Sequence, residues 1–201
     1  MRKVVRASSL MAILVLVVAG CAKPPTVEME AATAAMAEAT KAEAEVYAPE
    51  AMQSARNAQQ AYEEEVKLQE GKFALFRKYD KAKTMVAEAI TAAQTAATQA
   101  VENKNRIRQE VTTMIGDTRT ALTEAQGMLE KAPKGKGSTL DLQVMGSDLT
   151  AAGTAIDEAQ ALLDQDKLMD ARAKVQAASS TIASVKSSIE QAIQMKAAAK
   201  K

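Results

Sequence analysis

Leu168-Met-Asp-Ala171-Arg-Ala-Lys-Val175-Gln-Ala-Ala178-Ser-Ser-Thr-Ile182-Ala-Ser-Val185-Lys-Ser-Ser-Ile189-Glu-Gln-Ala192 sets an apolar residue alternately three and four positions after the last. A helix turning every 3.6 residues gathers those positions on one face; a strand would scatter them over two. Leu142, Met145, Leu149, Ala152, Ile156, Ala159 and Leu163 repeat the alternation just upstream. Two such stripes joined across Asp164-Gln-Asp166 predict an antiparallel αα-hairpin.

Further upstream the pattern continues through Tyr79, Ala82, Val86, Ala89, Ala93, Ala96 and Ala100. It crosses polar Asn103 and Lys104, then resumes on Ile107, Val111, Ile115, Thr118, Leu122, Ala125 and Leu129. The two four-residue steps from Ile107 to Ile115 are a stutter, which locally unwinds a supercoil. Helix formers dominate, and Gly and Pro gather at Tyr47-Ala48-Pro49, around Gly71 and at Pro133-Lys-Gly-Lys-Gly137. Those breaks predict five helices, near 27–46, 49–69, 77–131, 141–163 and 167–197. The expected fold is all-α: antiparallel helical hairpins in a coiled-coil-like bundle. Alanine fills five of the seven seam positions from Tyr79 to Ala100 and six of the twenty-two in the other stripes, so many positions bury little area and stability must come from length. An elongated body is the expectation.

Thr120-Ala-Leu-Thr-Glu-Ala-Gln-Gly-Met-Leu129 lies over Thr154-Ala-Ile-Asp-Glu-Ala-Gln-Ala-Leu-Leu163, an offset equal to the tetratricopeptide period. The Trp, Leu-Gly and Pro positions of that repeat are not in register, and alanine-rich heptads resemble one another readily.

The start of the chain has its own logic. Arg2, Lys3 and Arg6 precede the apolar run Leu10–Val18, which has the length of an export signal's core. Lys23, Pro24 and Pro25 end it well short of the roughly 20 apolar residues that span a bilayer. Val18-Ala19-Gly20-Cys21 resembles the lipobox read by bacterial lipoprotein signal peptidase, and Cys21 is the chain's one cysteine. A free thiol in an oxidising compartment is a liability that acylation removes. The expected division is therefore 1–20 signal peptide, 21–26 tether, 27–131 alanine-rich helical region and 141–197 C-terminal hairpin. Ala22 follows the cysteine, where Asp would retain such lipoproteins at the inner membrane. Passage to the outer membrane, facing the periplasm, is expected.

Cleavage removes three positive charges and no negative ones, turning a net charge of +1 into −2. Such a balance offers no overall electrostatic footprint for nucleic acid or for anionic lipid headgroups. The chain has no His, no Trp and no second Cys, which excludes imidazole acid/base chemistry and His/Cys metal sites. No catalytic, cofactor-binding or metal residue is assigned, and no enzyme is expected.

Four features remain. Tyr47, Tyr62, Phe73, Phe76 and Tyr79 are all the aromatics, and they fall within one stretch. They could mark a partner-binding patch, but the expectation is that they plug the end of a hairpin. Glu63-Glu-Glu65 is read as solvated helix surface. Ser179-Ser180 and Ser187-Ser188 with Lys174 and Lys186 raise a Ser/Lys nucleophile, but no oxyanion loop accompanies them. Lys134-Gly-Lys136 is read as a solvated basic loop.

Tyr47-Ala-Pro-Glu-Ala51 with Ala55, Ala58 and Ala61, then Lys78-Tyr-Asp-Lys-Ala82 with Ala89 and Ala93, resembles the bacterial lipoproteins grouped as domain of unknown function 4398. The resemblance covers about residues 30–100 and implies an envelope lipoprotein with a helical hairpin and no assigned activity. The plan of lipobox, heptad helix and terminal lysine is also similar to Braun's murein lipoprotein. That likeness raises attachment of Lys201 to peptidoglycan. The expected role is a structural or interaction element of the cell envelope. Its partners would be a membrane through Cys21, envelope proteins or peptidoglycan, and further copies of itself. The alternative is a helical module binding a peptide or envelope polymer.

Overall fold

The computed structural model describes residues 22–132 and 138–198. Among them are six α-helices and no strand: α1 (Thr26–Lys41), α2 (Ala44–Tyr47), α3 (Pro49–Glu70), α4 (Asp80–Glu130), α5 (Ser138–Asp164) and α6 (Leu168–Ala198). The protein is all-α. It divides into two compact units between Asn103 and Lys104, inside α4. Composition groups 27–131 together. The boundary between the compact units lies where the apolar stripe crosses its two polar residues.

In the first unit, Met29 near the start of α1 packs against Val66 near the end of α3 and against Tyr79 and Ala82 at the start of α4. Thus α3 runs opposite to both α1 and α4. Tyr62 fills the centre, against Ala32, Val86 and Ala89. The stripe anticipated from Tyr79 to Ala100 is buried at every position. Pro49 opens α3 at a position where a missing N–H costs nothing. The Tyr47 carbonyl accepts a bond from Asn103 Nδ2 at 2.7 Å. The polar interruption of the stripe thus satisfies a backbone group at a helix end.

The single helix expected over 27–46 is two. Glu43 adopts a left-handed conformation with φ of 58°, ending α1 and starting α2. Continuing the phase of Ala32 and Ala39 would turn Glu43 and Val46 inward. The break shifts the phase by one, so Ala44 and Tyr47 are buried and Val46 is exposed. The long helix also starts at Asp80 rather than 77, after a connector with a 3-10 turn at Ala74–Phe76.

In the second unit, pairs between α4 and α6 keep a constant offset: Glu110 with Arg172, and Glu124 with Lys186, both 62 residues apart. These helices are parallel. Between α4 and α5 the partners run in opposite senses, Leu122 lying beside Gly153 and Leu129 beside Gly146, so that pair is antiparallel. A Cβ on Gly153 would stand 3.4 Å from the Leu122 methyl, an ordinary van der Waals contact. Of the α6 stripe, Leu168 through Ile189 are buried and Ala192 is half-buried.

The turn from α5 to α6 explains an aspartate at a position that usually takes glycine. Asp166 N–H bonds to Leu163 O at 3.0 Å and Lys167 N–H to Leu162 O at 2.9 Å, a Schellman arrangement with Asp166 left-handed at φ 62°. Its carboxylate meets Lys104 at 2.7 Å and also Arg108. Lys104, with Arg108 beside it, holds that carboxyl below the usual aspartate range. The carboxylate's contribution is therefore complete above the ordinary aspartate pKa of about 4, and is lost as pH falls through the lowered value. Half-exposed, it contributes less than about 1 kcal/mol. Asp166→Gly loses the ion pairs but relaxes the backbone, whereas Asp166→Ala loses the pairs and keeps the strained φ. The alanine variant is expected to be less stable than the glycine variant by about 1 kcal/mol. Equal urea midpoints would contradict this account of the turn.

Candidate functional site

Cys21 and Lys201, the two residues singled out for attachment, lie outside the described residues, as does Lys134-Gly-Lys136. The described chain begins at Ala22 with four non-helical residues before α1, and α6 ends at Ala198.

The residues weighed as a Ser/Lys nucleophile are engaged otherwise. Lys174 pairs with Glu158, and Lys186 Nζ lies 2.9 Å from Glu124. Ser188 Oγ donates to the Ser184 carbonyl at 3.1 Å, while Ser179, Ser180 and Ser187 are exposed on α6. Each lysine is thus spent on a carboxylate of another helix.

The acidic run departs from its expected solvation at one residue. Glu64 is exposed and Glu63 accepts a bond from Gln59, but Glu65 is buried with 6% of its side chain accessible. Its two oxygens accept from Lys81 Nζ and Gln69 Nε2, both at 2.7 Å. Lys81, then Gln69, holds the Glu65 carboxyl below its ordinary value. Gln69 Oε1 in turn accepts from Lys78 N–H and from Lys72 Nζ, each at 3.1 Å. The Arg77 guanidinium donates to the carbonyls of Glu70 and Lys72 at 2.9 Å. Gln69, oriented by Glu65, and Arg77 therefore fix the connector between α3 and α4 by satisfying backbone groups that a helix end leaves open. Sequence reasoning passed over them. The available signal was spacing, since residues 65 and 69 follow Tyr62 by three and seven on the inward face.

That clamp presents the aromatics in two groups. Tyr47, Tyr62 and Tyr79 are buried, but of the three only Tyr79 lies at the connector end of the hairpin, Tyr62 filling the centre of the unit and Tyr47 lying by Asn103. Phe73 and Phe76 are not buried: they are 69% and 71% exposed, with ring centroids 6.2 Å apart. Leu68 and Leu75 are exposed beside them in sequence. Residues 71–79 carry Lys72, Arg77 and Lys78 and no carboxylate. The result is an apolar tip with a positive collar.

A second surface is the shallow groove between α1 and α4, lined by Ala34, Ala35, Ala97, Glu38, Lys41 and Val101 among others. It is an open furrow of methyl groups with few polar atoms converging on it. A binding module of the kind raised above would use such a feature.

No protein-family model, no curated protein and no solved structure matches the chain.

Proposed function

We propose that this chain is a bacterial lipoprotein, cut before Cys21, acylated there, and held at the outer membrane as a non-catalytic structural or interaction element of the envelope. The observation that carries it is Val18-Ala19-Gly20-Cys21 at the end of an export-type apolar run, with the chain's single thiol at the lipid-accepting position. Two further features support the same reading. Ala22–Pro25 precede the helical body as a proline-bearing tether. Among the described residues no helix is long and apolar enough to cross a membrane, so attachment through the N-terminus would supply the membrane contact. Helical seams faced with ion pairs suit a scaffold whose partners are other helices or wall components.

Cys21→Ser is the test in cells. Both processing and anchoring use the thiol, so the variant is expected to accumulate as precursor at the inner membrane or as a soluble product. Unchanged cleavage together with unchanged outer-membrane fractionation would refute the reading.

Attachment through Lys201 is a second proposal on the same anchor. Residues 193–198 of α6 are exposed beyond the last buried seam residue, so the end of the helix can present an amine. Deleting Lys200 and Lys201 should then abolish the fraction that stays with detergent-boiled sacculi. An unchanged retained fraction would rule the linkage out.

A further inference from the structure

The connector Gly71–Tyr79 lies at the same end of the first unit as the start of α1, because Met29 packs against the cluster formed by Val66, Tyr79 and Ala82. Pro25 is one helical turn before Met29, and Pro25 is itself buried. Three residues lie between Cys21 and Pro25, so the four steps reach at most about 14 Å even fully extended. Whatever holds residue 21 on a bilayer therefore brings this end of the unit to the bilayer surface.

What stands there is suited to that surface. Phe73, Leu75 and Phe76 project with more than half their area exposed. They are the chain's only two phenylalanines and a leucine, placed outside while alanines fill the seams. Lys72, Arg77 and Lys78 surround them in a chain whose mature net charge is negative. Aromatic rings and leucine enter the interfacial layer of a membrane, and flanking cations meet anionic headgroups. The backbone does not oppose entry. Arg77 and Gln69 already bond the carbonyls and N–H on either side of the tip, and Phe76 N–H bonds to Phe73 O at 2.9 Å. At interfacial depth the N–H groups of Phe73, Ala74 and Leu75 stay within reach of water and headgroups.

From this juxtaposition we infer that the Phe73–Phe76 tip is a second membrane contact. It inserts into the interfacial layer of an anionic bilayer beside the attachment point and stands the first unit end-on. The inference rests on attachment at residue 21, and its test imposes that attachment chemically, so that it stands or falls apart from the biological acylation.

The chain has no tryptophan and one cysteine, which makes both labels unique. Phe76→Trp places a reporter on an exposed position where folding is not at stake. Val101→Trp places one on an exposed α4 position about 30 Å further along the helix from its start. The mature chain of each variant, beginning at Cys21, is coupled through its thiol to a maleimide phospholipid in phosphatidylethanolamine/phosphatidylglycerol vesicles. With the tip inserted, indole emission of the Phe76→Trp variant moves to the blue on coupling and is quenched by acyl-brominated phospholipid, while that of the Val101→Trp variant is unchanged. Emission of the coupled Phe76→Trp variant equal to that of its thiol-capped soluble form overturns the inference. This is also the result expected if the tip serves a protein partner. Equal quenching of both reporters overturns it as well, since the unit would then lie flat.

Discussion

Replacing Ile182 with aspartate is expected to cost about 3–5 kcal/mol of the second unit's stability. Ile182 is 1% exposed at the middle of the α6 stripe, between buried Ala178 and Val185. The substitution removes a branched side chain from a close-packed seam and puts a carboxylate where no cation is within the apolar stripe to receive it. Ser180, two residues away, is exposed, so Ser180→Asp should change stability by no more than about 0.5 kcal/mol. Thermal melts followed by circular dichroism separate the two. Comparable losses in both variants would mean that the buried face of α6 has been assigned wrongly.

The second large effect is expected in the first unit. Tyr62 is the largest fully buried side chain among the described residues, and its neighbours include the small side chains Ala32 and Ala89. Alanine methyls on backbone-bound positions cannot swing in to fill a vacated ring. Tyr62→Ala should therefore leave most of its cavity open and cost about 3–5 kcal/mol. Tyr62→Phe keeps the ring and should cost much less. A urea midpoint for Tyr62→Ala close to that of Tyr62→Phe would show that the unit collapses around the cavity and is held together elsewhere.

The same physics explains how far the sequence could be read. Ile182, Val185 and Ile189 stand out because β-branched residues at three-four spacing contrast with the serines and lysines between them. Helix identity and buried face follow directly. In the first unit both faces are rich in alanine, so no contrast marks the one-residue phase shift at Glu43, and nothing in Lys41-Ala-Glu-Ala44 signals a left-handed residue. Glu65 reads as surface because a carboxylate is costly to bury. Its cost is met by Lys81, sixteen residues away across a turn, a pairing that only the folded hairpin creates. Asp166 is legible as a helix stop, but its ion pairs with Lys104 and Arg108 span the second unit. Phe73 and Phe76 are the instructive miss. Hydropathy alone places rings inside, yet helices separated by alanine leave little space between them, and the three tyrosines take it. The remaining two rings stay outside on a connector that Arg77 and Gln69 hold in place. Of the residues proposed for attachment, Cys21 rests on a four-residue motif and its position, and Lys201 only on analogy of plan.

The central claim is that the chain is anchored by lipid at Cys21, and mass spectrometry of the protein recovered from the membrane fraction addresses it most directly. The account predicts an N-terminal peptide that begins at Cys21 and carries the mass of a thioether-linked diacylglyceryl group. A mature protein whose N-terminus lies elsewhere, or one that begins at Cys21 with an unmodified thiol, would contradict it.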